Sequence, residues 1–304
     1  YDTSLQSSGT GKFSTYVNTR VNSVSRKRNV AVSIEELQAK AKLLRKHIIR
    51  MTTAAASGHP TSSLSAVEMI TALFFGGFMT YRPHEPHWPG RDRFILSKGH
   101  AVPALYAAMA EAGYFTVEET MSLRKLGSVF EGHPNMRRMP GIEASTGSLG
   151  QGLSIGLGQA LGCRLDKIDN HIFVMTGDGE LGEGQVWEAA ASAGKYKTSN
   201  LTVIVDQNGY QQTGATKDVL DLRPVADKFE AFGWHVQTVN GNCQATAVAA
   251  LTIAKSIKDR PSCIVSQTQK GFGILPILEA EGDMNYHGKP LTPALAEKAL
   301  ALLG

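Results

Sequence analysis

Apolar positions between residues 33 and 51 fall at Leu37, Ala41, Leu44, Ile48 and Met51, the three- and four-residue spacing that lines one face of a helix. Ser33 stands just ahead, with Glu36 three residues on, a pair able to cap each other's backbone N–H groups at a helix start. The pattern predicts a long helix running to Gly58-His59-Pro60, where glycine and proline end helices for different steric reasons. A second helix is predicted through SLSAVEMITALFFGG, residues 63–77. A loop rich in Pro, His and Arg follows, then a short buried strand, FILS, that ends at Lys98-Gly99-His100.

From residue 171 the pattern alternates between short apolar runs and helical periodicity. HIFVMT, LTVIVD, VQTVNG and SCIVSQTQKG are strands; GQVWEAAASAGKY and ATAVAALTIAKSI are helices between them. Such alternation predicts an α/β fold, a parallel sheet with helices on both faces. One continuous domain is expected over residues 34–304, preceded by an extension over residues 1–33.

Charge and cysteine content narrow the classes. The chain of 304 residues carries a formal net charge of +4. The extension alone, with Lys12, Arg20, Arg26, Lys27 and Arg28 against Asp2, accounts for that excess. The remaining body is neutral, without the basic stripe a nucleic-acid partner needs. No apolar run is long enough to span a membrane, and the extension has no signal-peptide core. Its Arg- and Ser-rich, acid-poor start is compatible with a transit peptide, or with a polar arm draped over a partner. Three cysteines, Cys163, Cys243 and Cys263, form no C-x-x-C pair, which fits reduced core thiols in a cytoplasmic protein.

The chemistry concentrates in TGDGELGEG, residues 176–184. Gly177, Gly179 and Gly182 satisfy G-x-G-x-x-G, yet Asp178 occupies the second slot, where a bare pyrophosphate would be repelled. Asp206 ends the next strand, but twenty-nine residues past Gly177 it lies further on than a dinucleotide fold expects. A divalent cation resolves the conflict. Asp178 and Asn208 both follow strand ends, where parallel sheets gather ligands. With a backbone carbonyl and diphosphate oxygens they complete an oxygen set suited to Mg²⁺. Plain turns remain the bland reading of both strings.

The string GDGELGEGQVWEAAASAGKYKTSNLTVIVDQN resembles the diphosphate-binding motif of thiamine diphosphate enzymes, and its neighbours narrow the resemblance to transketolases. From Ile34 to Pro290 the markers come in that family's order. They are SGHP with His59, SKGHA with His100, EGHP with His133, STGSLGQGLSIGLGQALG, the GDG element, DQNGYQQTG, and NYHGKP with His287. The resemblance implies Mg²⁺ (with Ca²⁺ able to substitute) on Asp178, Asn208 and the carbonyl of Tyr210. It implies thiamine diphosphate contacts from Gly147, Leu149, Gly177, Gly179, Glu180, His100 and His287. It makes His59, His100, His133 and His287 the catalytic histidines, and places Glu183 and Glu188 at a subunit interface. His47, His84, His87, His171 and His235 are expected to be structural.

Thr61 and Ser148 depart from the residues many transketolases carry, glycine and proline respectively. The glycines 150, 152, 156, 158 and 162 cost helix stability, so close packing beside the cofactor is expected of them. In the family a second domain supplies the glutamate that activates the cofactor. The expected function is therefore the N-terminal subunit of a split transketolase, moving a two-carbon ketol unit from a ketose to an aldose. Its expected partner is a C-terminal subunit with the pyrimidine-binding domain, in an α2β2 assembly. A truncated form is the other origin for a chain of this span. The alternatives are a bipartite enzyme passing two carbons to a lipoyl or carrier protein, and a non-catalytic subunit of the same fold.

Overall fold

The computed structural model describes residues 32–282 and 285–304. The basic extension lies, for residues 1–31, outside the described residues. Helix α1 (Ile34–Ala54) begins as the sequence predicts: the Ser33 hydroxyl accepts from the Glu36 N–H at 3.1 Å, and Glu36 accepts from the Ser33 N–H at 2.8 Å. Its five face residues are all buried. The helix ends ahead of the predicted Gly58 stop. Ala56 takes a left-handed φ of 46°, and Ser57 and Ala56 donate back to Thr52 and Thr53 in a Schellman turn that an alanine makes instead of a glycine.

The helix predicted over residues 63–77 is two helices, α2 (Pro60–Leu64) and α3 (Val67–Phe75). The break has a polar cause. The Ser62 carbonyl is engaged by Lys98 at 2.9 Å, and the Ser65 hydroxyl bonds Asp206 at 2.7 Å, so this stretch turns toward the sheet rather than continuing the helix.

Among the described residues, five strands form one parallel sheet: β1 (Arg93–Leu96), β2 (Ile172–Gly177), β3 (Leu201–Gln207), β4 (His235–Asn240) and β5 (Ser262–Gln267), in the spatial order β1-β2-β3-β5-β4. The connecting helices are α4 (Val102–Glu111), α5 (Gln151–Leu165), α6 (Gly184–Lys195), α7 (Thr216–Val219), α8 (Val225–Ala231), α9 (Gln244–Ser256), α10 (Leu275–Ala280) and α11 (Pro293–Leu302). Alternate strand residues feed two cores. Phe94, Phe173, Met175, Ile204 and Ile264 face α1, α3, α4, α9 and α11. Ile95, Ile172, Val174, Val203 and Val265 face α5, α6 and α8. Such double burial makes these strands apolar throughout, as parallel sheets require. Cys163 and Cys263 are core thiols, whereas Cys243 is half-buried at the start of α9, because the residue ahead of a helix sits at the rim of the fold.

Helix α5 explains only part of its glycine content. A Cβ on Gly152 would overlap Ser97, and one on Gly156 would overlap Val174, so these two let α5 lie directly on the sheet. Gly158 and Gly162, expected to pack closely as well, meet nothing within 4 Å, because they point away from the sheet. The pair makes a direct comparison available. Gly156→Ala should destabilise the chain in chemical denaturation by about 1–3 kcal/mol through overpacking. Gly158→Ala should leave it unchanged or stabilise it by up to about 1 kcal/mol through helix propensity. Equal effects would refute the packing asymmetry.

Candidate functional site

The register of the central strands creates the site. Gly177 on β2 pairs with Asp206 on β3, so the residues just beyond, Asp178 and Asn208, come side by side at the carboxyl edge. Asp178 starts a short 3₁₀ turn, Gly179–Gly182. Its carboxylate accepts from Gly179 N–H at 3.0 Å and from Gly209 N–H at 2.8 Å, which fixes both oxygens. The Asn208 oxygen accepts from Tyr210 N–H at 3.0 Å, and its amide nitrogen donates to Asp206 at 3.3 Å.

The oxygens here are hard donors, a carboxylate, a side-chain amide and nearby backbone carbonyls, of the kind Mg²⁺ takes. Burial first, then the neighbouring Asp206, pushes the Asp178 carboxyl up to about 6. A carboxylate so placed gains from a divalent ion beside it. The turn is also cut to the backbone: a Cβ on Gly179 would stand 2.6 Å from Gln211 Cβ, and one on Gly99 would stand 2.8 Å from Gly147 N. Asp178, Asn208, Tyr210 and Leu149 line a cavity of about 250 Å³ together with His100 and His287.

Above that cavity His59, His100 and His287 form a triangle, with ring centroids 5.1 Å, 4.9 Å and 5.1 Å apart. His59 comes from the turn before α2, His100 from the turn after β1, and His287 from the segment before α11. All three are lowered from the ordinary imidazole value. Burial, then the neighbouring positive field of His287, Arg124, His133 and Lys270, lowers His59 to about 3. Burial, then Lys270 and Lys98, lowers His287 to about 4. Burial and Lys98 hold His100 well below its usual value. The Nδ1 atom of His59 is buried without a hydrogen-bond partner, a polar atom that a ligand could satisfy.

His133 stands apart from the triangle. It packs against Gly147, whose φ of 134° and lack of a side chain admit it; a Cβ there would lie 2.7 Å from His133 Cδ2. Burial and Arg124 lower its pKa too. Glu180, expected to contact the cofactor, lines the same cavity, and its carboxylate accepts from Ser97 Oγ, from Gly150 N–H at 2.8 Å and from Gly177 N–H at 3.0 Å. It clasps the ends of β1 and β2 to the start of α5. Glu183 and Glu188 are exposed.

Three further groups belong to the site. Lys98 and Asp206 form a fully buried ion pair beneath it, and Lys98 also donates to the Ser62 carbonyl. Lys270, in the turn after β5, donates to Asn285 Oδ1 and lies 3.3 Å from His287 Nδ1. The signal for Lys98 and Asp206 was present, since each is a charge at the inner end of an apolar strand; nothing in the sequence said that they face each other.

The chain matches the transketolase, thiamine diphosphate binding domain family over residues 37–302. It is 41% identical over 268 residues to a 6-deoxy-6-sulfo-D-fructose transketolase subunit of Clostridium sp., covering 88% of this chain and 96% of that protein. It is 37% identical to an apulose-4-phosphate transketolase subunit of Phocaeicola vulgatus, covering 88% and 94%. Against human transketolase it is 41% identical and spans 42% of that protein. The transketolase of Campylobacter jejuni superposes with a TM-score of 0.83 at 32% identity, over 90% of this chain and 43% of that one.

The electrostatics of the triangle can be tested directly. Lys270→Met removes a positive charge that lowers His287, so its imidazole midpoint should rise from about 4 toward 6.5, read by NMR titration of histidine-labelled protein. The stability sign follows. A histidine held neutral contributes stability above its unfolded value of 6.5 that is lost as pH falls toward the folded value; the variant should lose less of it. A midpoint unchanged in the variant would take Lys270 out of the account and leave burial and Lys98 as the causes.

Proposed function

This chain belongs to the transketolase thiamine diphosphate-binding family, and on that premise we propose that it is the diphosphate-binding subunit of a split transketolase, with residues 34–304 as the cofactor-binding domain. One observation carries the catalytic reading: a buried oxygen pair, Asp178 and Asn208, shares one small cavity with His100 and His287, whose rings lie about 5 Å from that of His59. The subunit reading is supported by the coverage of 96% and 94% of two relatives named as transketolase subunits. The partner is a C-terminal subunit bearing the pyrimidine-binding domain, in an α2β2 assembly with Glu183 and Glu188 at the interface.

Bound thiamine diphosphate supplies stabilisation of negative charge at carbon, which lets a ketose lose two of its carbons to an aldose. Asp178, Asn208 and the Tyr210 carbonyl hold Mg²⁺. Gly177, Gly179, Glu180, His100 and His287 would hold the diphosphate, and Gly147 and Leu149 the aminopyrimidine, while the Glu180 carboxylate clasps the turn. His59, His100, His133 and His287 would exchange protons with substrate oxygens. Neutral imidazoles suit that work because they can both accept and donate near neutral pH. The names of the two subunit relatives specify a sulfonated and a phosphorylated sugar, and we assign this chain a ketose with an anionic end group.

Asp178→Asn keeps the shape and one acceptor oxygen while removing the charge. In calorimetric titration of the reconstituted complex, thiamine diphosphate affinity in Mg²⁺ should fall more than about tenfold, and its dependence on Mg²⁺ should disappear. Wild-type affinity with intact Mg²⁺ dependence would take the metal away from Asp178. His59→Ala should leave that affinity in place and lower turnover by about 10²–10⁴-fold.

A further inference from the structure

His59, Lys270 and His287 arrive on three separate segments: the turn before α2, the turn after β5 and the stretch before α11. Thr61 touches all three. It is fully buried in the first turn of α2, two residues after His59. Its carbonyl accepts from Gly271 N–H at 3.0 Å, next to Lys270. Its hydroxyl donates to the Tyr286 carbonyl at 3.2 Å, next to His287. Its methyl group lies beside Gly271, where an added Cβ would stand 3.4 Å from it and 2.3 Å from Leu278 Cδ1.

We propose that Thr61 is a positioning residue, whose hydroxyl fastens the segment carrying His287 to the turn carrying His59 and so sets the spacing of the histidine triangle. The opposite side of that segment is already held: Asn285 donates to the carbonyls of Gln211 and Gln212 at 3.3 and 3.4 Å and accepts from Lys270. Thr61 supplies the tie on the His59 side. A glycine at this position could keep the carbonyl bond to Gly271 but could not make the hydroxyl bond to Tyr286. Residue 61 therefore decides whether the two histidine segments are coupled by a side chain. Its effect on catalysis rests on the ketol-transfer reading above; the tie itself does not.

The test separates hydroxyl from volume. Thr61→Val keeps the methyl packing and removes the donor, while Thr61→Ser keeps the donor and removes the methyl. Hydrogen–deuterium exchange of the full chain should show the amides of residues 285–291 exchanging about tenfold faster in Thr61→Val, with α1 and α5 unchanged. Thr61→Ser should exchange like the wild type. At neutral pH the His287 imidazole resonances should shift in the Val variant and return to their places in Ser. In the complex with its partner, kcat of the Val variant should fall about tenfold with KM little changed, as for a lost alignment rather than lost binding.

Wild-type exchange in Thr61→Val, or the same acceleration in Thr61→Ser, would overturn the tie. Should Val prevent folding, Thr61→Ala provides the same comparison against Ser. A wild-type complex without ketol transfer would sink the functional reading while leaving the exchange result to decide on Thr61. Normal turnover in a Val variant with accelerated exchange would overturn the positioning role.

Discussion

The ion pair between Lys98 and Asp206 is the constraint on which the site depends. Both side chains are buried, and the desolvation of two charges is offset only when every remaining polar atom finds a partner. Here they do. Lys98 donates to Ser62; Asp206 accepts from Ser65, from Thr268 and from Asn208. Those partners lie on α2, on the turn after β5 and on the turn after β3, so one pair of charges draws together four chain segments. It also stops the helix predicted over residues 63–77, because the serines that would continue it are turned toward the pair. Losing one partner would leave the other charge buried alone, a change worth about 3–5 kcal/mol in comparable pairs.

The same lysine fixes the chemistry above it. Lys98 and Lys270 lie close to the histidine triangle, and after burial their positive charge lowers the imidazoles of His100 and His287. Neutral rings 5 Å apart can share a small space that three imidazolium ions could not. Under the proposed function this separates two roles that histidine often combines: the lysines supply positive charge, and the histidines supply exchangeable protons.

Much of the fold was legible in the sequence, for reasons that differ by element. Parallel strands buried on both faces are apolar throughout, so residues 172–177 and 201–207 announced themselves, and the Ser33–Glu36 cap was written in its two residues. The end of α1 was not legible, since Ala56 adopts a conformation that its identity does not suggest. The glycines of α5 had a visible cost but not a visible direction; which of them meets the sheet depends on helix phase relative to a partner not adjacent in sequence. Asp178, Asn208 and all four histidines were found by motif, and the fold brings His59, His100 and His287 together beside Asp178 and Asn208 while His133 stands apart. The clasp made by Glu180 was not legible, because its three donors, Ser97, Gly150 and Gly177, converge only in the folded chain. The pairing of Lys98 with Asp206 was not legible for the same reason, since an ion pair across 108 residues joins two strand ends whose facing only the fold decides.

The site's charges also explain why an aspartate can stand inside a phosphate-binding glycine turn. A diphosphate alone would be attracted by Lys98 and Lys270 and repelled by Asp178. A divalent cation alone would be attracted by Asp178 and the Asn208 oxygen and repelled by the lysines. Neither ion satisfies the site by itself, whereas the pair places opposite charge against every group. Under the proposed assignment metal and cofactor must therefore raise each other's affinity by the same factor, because coupling between two ligands of one site is reciprocal. The aspartate that disqualifies the turn as a simple dinucleotide loop is, on this argument, the residue that makes it selective for a metal-bound diphosphate.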